Sequence, residues 1–231
     1  MKIKHGMILA AGLGKRMKPI TLKTPKPLIQ VGKKNLLERA LDLLINHGIE
    51  EIAINVHHLP GQIKDFVNNK RYKAKIIFSD EQDSLLDTGG GIFRATESFK
   101  KPFIVVNPDT LWGEAYQSEL NDLEDLYFKR KKPCLLLVNK NLSFDNSFHG
   151  DFNLHNGMIS RDSNNEFIFT GLQILDQSVF SAEKDKIFSM NKIWNYLIEK
   201  NSLIGNESKQ KFYHLNTVEM YQKISNLKLT D

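Results

Sequence analysis

The residues best placed to do chemistry begin near the N-terminus, in Leu9-Ala10-Ala11-Gly12-Leu13-Gly14-Lys15-Arg16-Met17-Lys18-Pro19, followed by Thr24-Pro25-Lys26-Pro27-Leu28. A loop of small residues lets backbone N–H groups approach a phosphate closely. Lys15, Arg16, Lys18, Lys23 and Lys26 then put five positive charges into twelve residues. The spacing is not a dinucleotide fingerprint, because Met17 stands where the third glycine belongs, and no Gly-Lys-Ser/Thr makes it a P-loop. Gly12 and Gly14 alone would fit a solvated basic loop. Together with Arg16 and with Lys26, held between two prolines of restricted backbone, they point to an anion site.

Three further segments carry candidate chemistry. In Leu86-Asp87-Thr88-Gly89-Gly90-Gly91-Ile92 the entropic cost of three glycines in front of a helix is explained by a backbone-to-ligand contact. Just before it, Ser79-Asp80-Glu81 either accepts hydrogen bonds from a base or ribose or is a solvated acidic patch. In Asn107-Pro108-Asp109-Thr110 the aspartate either closes a turn or holds a divalent cation that bridges phosphates. A diffuse set, Gly150-Asp151-Phe152, Thr170-Gly171 and His214, could supply a second ligand or metal contact. The seven histidines show no zinc-ligand spacing, and the single cysteine, Cys134, lies in an apolar run that reads as core.

The elements that must position these residues follow from hydrophobic periodicity. Short apolar runs at Met7–Ala11, Ile52–Val56, Lys75–Phe78 and Phe103–Val106, and a fifth containing Cys134, read as strands. Between them lie helical patterns at Leu36–His47, stopped by Gly48, from Pro60 to about Asn69, at Gly91–Phe99 and at Glu114–Lys131. Such alternation predicts an α/β fold with a mostly parallel sheet covered on both faces. Ligands then bind outside the carboxyl ends of the strands, where all four segments sit. From Lys140 the pattern changes: extended pieces at Asp151–Leu154 and Met158–Arg161, a strand at Glu166–Leu175, a helix carrying Ile193, Leu197 and Ile198, and a last one at Val218–Ile224. With no internal repeat, the chain reads as one domain, residues 1–231, whose second half elaborates the edge of the first-half sheet.

Composition sets the outer limits. Hydrophobic residues make up 41% and charged residues 26%, and a mean hydropathy of −0.37 excludes a disordered or fibrous chain. A net charge of +5 favours anionic ligands. The basic residues concentrate in one loop without stacking aromatics, so nucleic acid is not the expected partner. No apolar stretch approaches the roughly 20 residues of a membrane span, and the short run before Gly12 does not make a secretory signal. The expected location is the cytoplasm.

Taken in order, the first block through Pro25-Lys26-Pro27, then Asp87-Thr88-Gly89-Gly90-Gly91, then Asn107-Pro108-Asp109, resembles the sugar-1-phosphate nucleotidylyltransferases along essentially the whole chain. Thr88-Gly89-Gly90-Gly91-Ile92 and Gly150-Asp151-Phe152 are most similar to N-acetylmuramate 1-phosphate uridylyltransferases, with the small mannose-1-phosphate guanylyltransferases next. The resemblance implies a Rossmann-like mixed sheet, the nucleotide-diphospho-sugar transferase fold, with a nucleotide-binding half at 1–140 and a sugar-binding half at 141–231. It implies a reaction in which a sugar 1-phosphate and a nucleoside triphosphate give a nucleotide sugar and pyrophosphate, with Mg²⁺ or Mn²⁺ as cofactor. By motif position, Arg16, Lys26 and Asp109 are catalytic. Leu9, Ala10, Ala11, Gly12, Gly14, Lys15, Thr88 and Gly89 hold the nucleotide, and Asn107, Asp151, Thr170 and Gly171 face the sugar. Asp109 ligates the metal, with His214 standing where the family places a second, acidic ligand. Pro108 replaces the family's glycine and Asp87 its glutamate. Those departures keep open a nucleotide-binding module of reduced catalytic power; the oligomeric state is not assigned.

Overall fold

The computed structural model describes residues 2–81 and 83–227. Its first half alternates strands and helices: β1 (His5–Leu9), a short hairpin of β2 (Gln30–Val31) and β3 (Lys34–Asn35), α1 (Leu36–His47), β4 (Glu51–Val56), α2 (Pro60–Asn68), β5 (Lys75–Asp80), α3 (Asp87–Ala95), β6 (Phe103–Val106), α4 (Tyr116–Arg130) and β7 (Cys134–Asn139). The second half adds β8 (Asn153–His155), β9 (Met158–Ser160), β10 (Phe167–Leu175), α5 (Met190–Glu199), β11 (Ile204–Ser208) and α6 (Val218–Ser225).

Nine strands form one sheet in the order β5-β4-β1-β6-β10-β7-β11-β9-β8. β1 pairs in parallel with both β4 and β6, so the strand order reverses at β1 and opens a crevice at its carboxyl end. Alternation along the strands serves both faces. Ile8, Ile52, Ile54, Ile104 and Val106 pack under α1, α2 and α4, while Met7, Ala53, Phe103 and Val105 pack under α3 and α5. Local chemistry ends α1 cleanly: the Asn35 side chain accepts the Glu38 N–H at its start, and Gly48, at φ 97°, closes it.

Two sequence expectations change. β10 is not an elaboration of the edge: it lies between β6 and β7, antiparallel to both, so a strand from the second half separates two that chain order alone would make neighbours. The helix expected from Gly91 begins at Asp87, which places all three glycines inside it rather than ahead of it. Cys134 is fully buried, and burial pushes its thiol far above the usual range, as suits core rather than a nucleophile. No helix among the described residues is long and apolar enough to cross a membrane.

Candidate active site

Strand β1 ends at Leu9, and the chain turns through Ala10–Gly14 over a cavity of about 340 Å³. Leu9, Ala10, Ala11, Gly12, Gly14, Lys15, Arg16 and Lys26 line it from the N-terminal segment, Thr88 from α3, and Asn107 and Asp109 from the end of β6. Gly14 adopts φ 59°, and a Cβ there would lie 2.8 Å from the Thr21 methyl. The Thr21 hydroxyl donates to the Gly14 carbonyl at 2.9 Å, so the loop is folded back on its own basic extension. At Gly12 a Cβ would meet no protein atom, which leaves its backbone open to an approaching ligand.

Asp109 is the electrostatic centre of the cavity. Its Oδ2 accepts from Lys26 Nζ at 2.7 Å and stands 3.1 Å from His214 Nε2. Burial raises the Asp109 carboxyl, but the Lys26 ammonium and the His214 ring outweigh it and hold the group far below the usual carboxylate range. Backbone pairing explains why these residues meet: Leu215 N–H donates to the Asp109 carbonyl at 2.7 Å and Leu111 N–H to the Tyr213 carbonyl at 2.9 Å, which sets His214 beside the turn. Pro108 removes none of the bonds that fix this turn, which run through Asn107 and Asp109: Asn107 N–H donates to the Gly171 carbonyl, and the Asn107 carbonyl accepts the Trp112 indole. Arg16 and Lys15 are exposed and unpaired among the described residues, so the cavity keeps two free cations beside one bound one.

Other expectations separate from the cavity. Gly89 does not line it, because its amide donates to the Phe188 carbonyl at 2.9 Å. The glycine triplet answers to protein rather than to ligand: a Cβ would strike the Phe188 ring at Gly89, the Lys186 carbonyl at Gly90, and both Asn55 Nδ2 and Glu81 Oε1, at 2.8 Å each, at Gly91. Thr170 is buried, its hydroxyl donating to the Leu136 carbonyl at 2.8 Å. Gly171, at φ 93°, would carry its Cβ 2.8 Å from that of Asn107. Both therefore reach the cavity only through the backbone that positions Asn107 and Thr110. The Asp151 carboxylate accepts the Phe169 N–H at 2.9 Å and is not part of the lining.

Four lining residues escaped the sequence reading: Leu36, Asn55, Leu85 and Asn216. Glu81, read as part of either a ligand-binding or a solvated acidic patch, is fully buried. A signal existed for Asn55, the one polar residue in the run Ile52-Ala53-Ile54-Asn55-Val56, since a buried amide needs partners. Nothing local distinguishes Asn216.

Known proteins are similar to this chain in sequence and in fold. The family model for nucleotidyl transferases matches residues 5–138. An N-acetylmuramate alpha-1-phosphate uridylyltransferase of Caulobacter vibrioides is 29% identical over 211 residues, 87% of each chain. A protein of the same name from Neisseria meningitidis is 44% identical over 107 residues, 46% of each. In fold, the chain is similar to a UDP-glucose pyrophosphorylase complexed with UDP-glucose, with a TM-score of 0.81, 21% identity and 97% of each chain covered.

Proposed function

The chain belongs to the nucleotidyl transferase family as a sugar-1-phosphate nucleotidylyltransferase, and we propose that it joins N-acetylmuramate 1-phosphate to UTP, giving the UDP-sugar and pyrophosphate. The observation that carries this reading is the convergence of Arg16, Lys26 and Asp109 on one cavity beside the Ala10–Gly14 loop. The two uridylyltransferase relatives support the choice of base and sugar.

In this reaction an oxygen of the sugar phosphate attacks the α-phosphorus while the bond from that phosphorus to the β-bridging oxygen breaks in line. Little covalent work falls to the protein, which must position the reactants and neutralise charge. The Ala10–Gly14 backbone, with Leu9, Lys15 and Thr88 around it, holds the nucleoside and its phosphates. Arg16, free of any partner among the described residues, neutralises the β- and γ-phosphates as they leave. Lys26 stands between the reacting phosphates. Asn107 faces the sugar phosphate, and Thr170 and Gly171 serve by holding that wall in place.

Enzymes of this family generally use a divalent cation. The residues here fit Mg²⁺: beside the Asp109 carboxylate, the amide oxygens of Asn107 and Asn216 are buried without a hydrogen-bond partner among the described residues, and hard oxygen donors of this kind, completed by substrate phosphates, are what Mg²⁺ takes. Asp109, with those amides, would hold it. A cation held by these residues would supply positive charge to offset that of the phosphates. His214 offers a nitrogen that suits Mn²⁺ better.

Pyrophosphate release measured with UTP and N-acetylmuramate 1-phosphate, and in parallel with GTP and mannose 1-phosphate, tests the proposal. Turnover of the first pair is expected. Preference for the second pair overturns the assigned specificity, and silence with every pair, Mg²⁺ or Mn²⁺ present, overturns the reading altogether.

A further inference from the structure

The far wall of the cavity is held by a buried polar chain that the proposed reaction does not use. Asn55, at the end of β4, accepts the Ala10 N–H through Oδ1 at 2.7 Å and donates through Nδ2 to Glu81 Oε1 at 2.7 Å. Glu81 Oε2 accepts the Leu86 N–H at 3.0 Å. Both side chains are buried, Asn55 at 1% and Glu81 at 0% exposure. The chain thus ties the amide of Ala10, in the loop beside β1, to the amide of Leu86, at the mouth of α3.

What lies beyond each end is cavity lining. Ala10 leads into Ala11 and Gly12, and Leu86 into Asp87 and Thr88. Asp87 has φ 61°, a left-handed backbone that costs a non-glycine residue free energy and persists only where neighbours over-determine it. Glu81 supplies that restraint on one side of Leu86, and on the other the Phe188 N–H donates to the Leu86 carbonyl at 3.2 Å. Space for the brace is reserved as well, since a Cβ at Gly91 would sit 2.8 Å from both Asn55 Nδ2 and Glu81 Oε1. A carboxylate buried this deeply is costly unless its oxygens are satisfied, and here both receive donors.

The geometry points to Asn55 and Glu81 as positioning residues that set the width of the slot between the Ala10 loop and the Leu86–Thr88 turn, and so the affinity for the nucleoside triphosphate. This rests on the nucleotide reading of the cavity. Neither side chain needs to touch the ligand, because each acts through a backbone amide that shapes the wall.

The donor–acceptor polarity of the chain supplies the test. Glu81→Gln must point an N–H at either Asn55 Nδ2 or the Leu86 N–H, both donors. Asn55→Asp brings two buried carboxylates together. The double variant Asn55→Asp/Glu81→Gln reverses the polarity and satisfies every bond again. One oxygen of the new carboxylate at position 55 accepts the Ala10 N–H, and the other accepts from the new side-chain amide at position 81. The oxygen of that amide accepts the Leu86 N–H. Calorimetric binding of UTP, with GTP alongside and no sugar phosphate present, is measured for the parent and all three variants, together with the KM for the sugar 1-phosphate. Each single variant is expected to weaken triphosphate binding by about tenfold or more, the cost of one lost hydrogen bond to a charged group. The double variant should return to within about threefold of the parent, while the KM for the sugar 1-phosphate stays within about twofold throughout. Single variants that bind like the parent, or a double variant no better than the worse single, overturn the brace. If a single variant fails to fold, the double variant decides alone: parental affinity supports the inference, and loss of folding or binding overturns it. A parent that binds neither triphosphate defeats the nucleotide reading itself, a distinct result.

Discussion

Lys26 Nζ and Asp109 Oδ2 meet at 2.7 Å although 83 residues separate them in the chain. The pair joins the proline-flanked turn after β1 to the end of β6, and it places a cation and the proposed metal-holding carboxylate at one point of the cavity. Its side chains are only 15% and 24% exposed, so water screens them incompletely.

Lys26→Ala is therefore expected to cut kcat by about a thousandfold, the scale of removing one preorganised charge from a phosphoryl-transfer site. The melting temperature should fall as well, because the variant leaves a largely buried Asp109 carboxylate with one counter-charge fewer. Steady-state kinetics and a melting curve on the same preparation check both halves.

His214 sits 3.1 Å from the same carboxylate oxygen. His214→Asp gives that place a hard oxygen in exchange for a nitrogen, and the expected outcome is a lower Mg²⁺ concentration at half-maximal rate, with the Mn²⁺ requirement changing less. Metal titrations of pyrophosphate release on both proteins show the difference; an unchanged Mg²⁺ requirement would mean that residue 214 does not reach the cation.

Gly14→Ala combines a left-handed φ of 59° with a Cβ 2.8 Å from the Thr21 methyl. The backbone part costs about 1 kcal/mol, and the contact adds to it. Adding Thr21→Ser removes the methyl while keeping the hydroxyl that donates to the Gly14 carbonyl. Denaturant titrations should show the double variant recovering the contact portion of the loss and retaining the backbone portion.

His47 and Glu124 form a buried pair remote from the cavity, Nε2 to Oε1 at 3.3 Å, with the same Glu124 oxygen accepting the Ile3 N–H at 2.6 Å. Burial lowers the His47 pKa from its ordinary 6.5 more than Glu124 raises it. Below that value the unfolded chain binds the proton more readily than the folded one, so stability is full above about pH 6.5 and falls as pH drops toward the folded value. His47→Gln should flatten this part of the stability profile, as read from denaturation midpoints at stepped pH.

The order of strands and helices in the first half was legible because burial leaves a local trace: continuous apolar runs for strands covered on both faces, and a three-to-four residue period for helices. The loop that lines the cavity was legible for a related reason, since an open backbone and a proline-flanked lysine are written in the residue types Gly12, Gly14, Pro25 and Pro27. Chain order said nothing of β10, which inserts between β6 and β7, because strand pairing is chosen by packing among distant segments. The family resemblance implies ligand roles for Thr170, Gly171 and Gly89, yet in the fold they lie against Leu136, Asn107 and Phe188. Asn55 reads only as part of the strand Ile52–Val56, and Glu81 as either a ligand-binding or a solvated acid; tertiary structure closes the bonds from Ala10 to Leu86 through both. Sequence alone determined where the backbone is least covered by side chains, since that depends on each residue's own type and conformational freedom. The tertiary structure decided which polar groups face the cavity and which hold its wall, since a hydrogen bond is satisfied by whatever the fold brings within about 3 Å, and no local pattern records it.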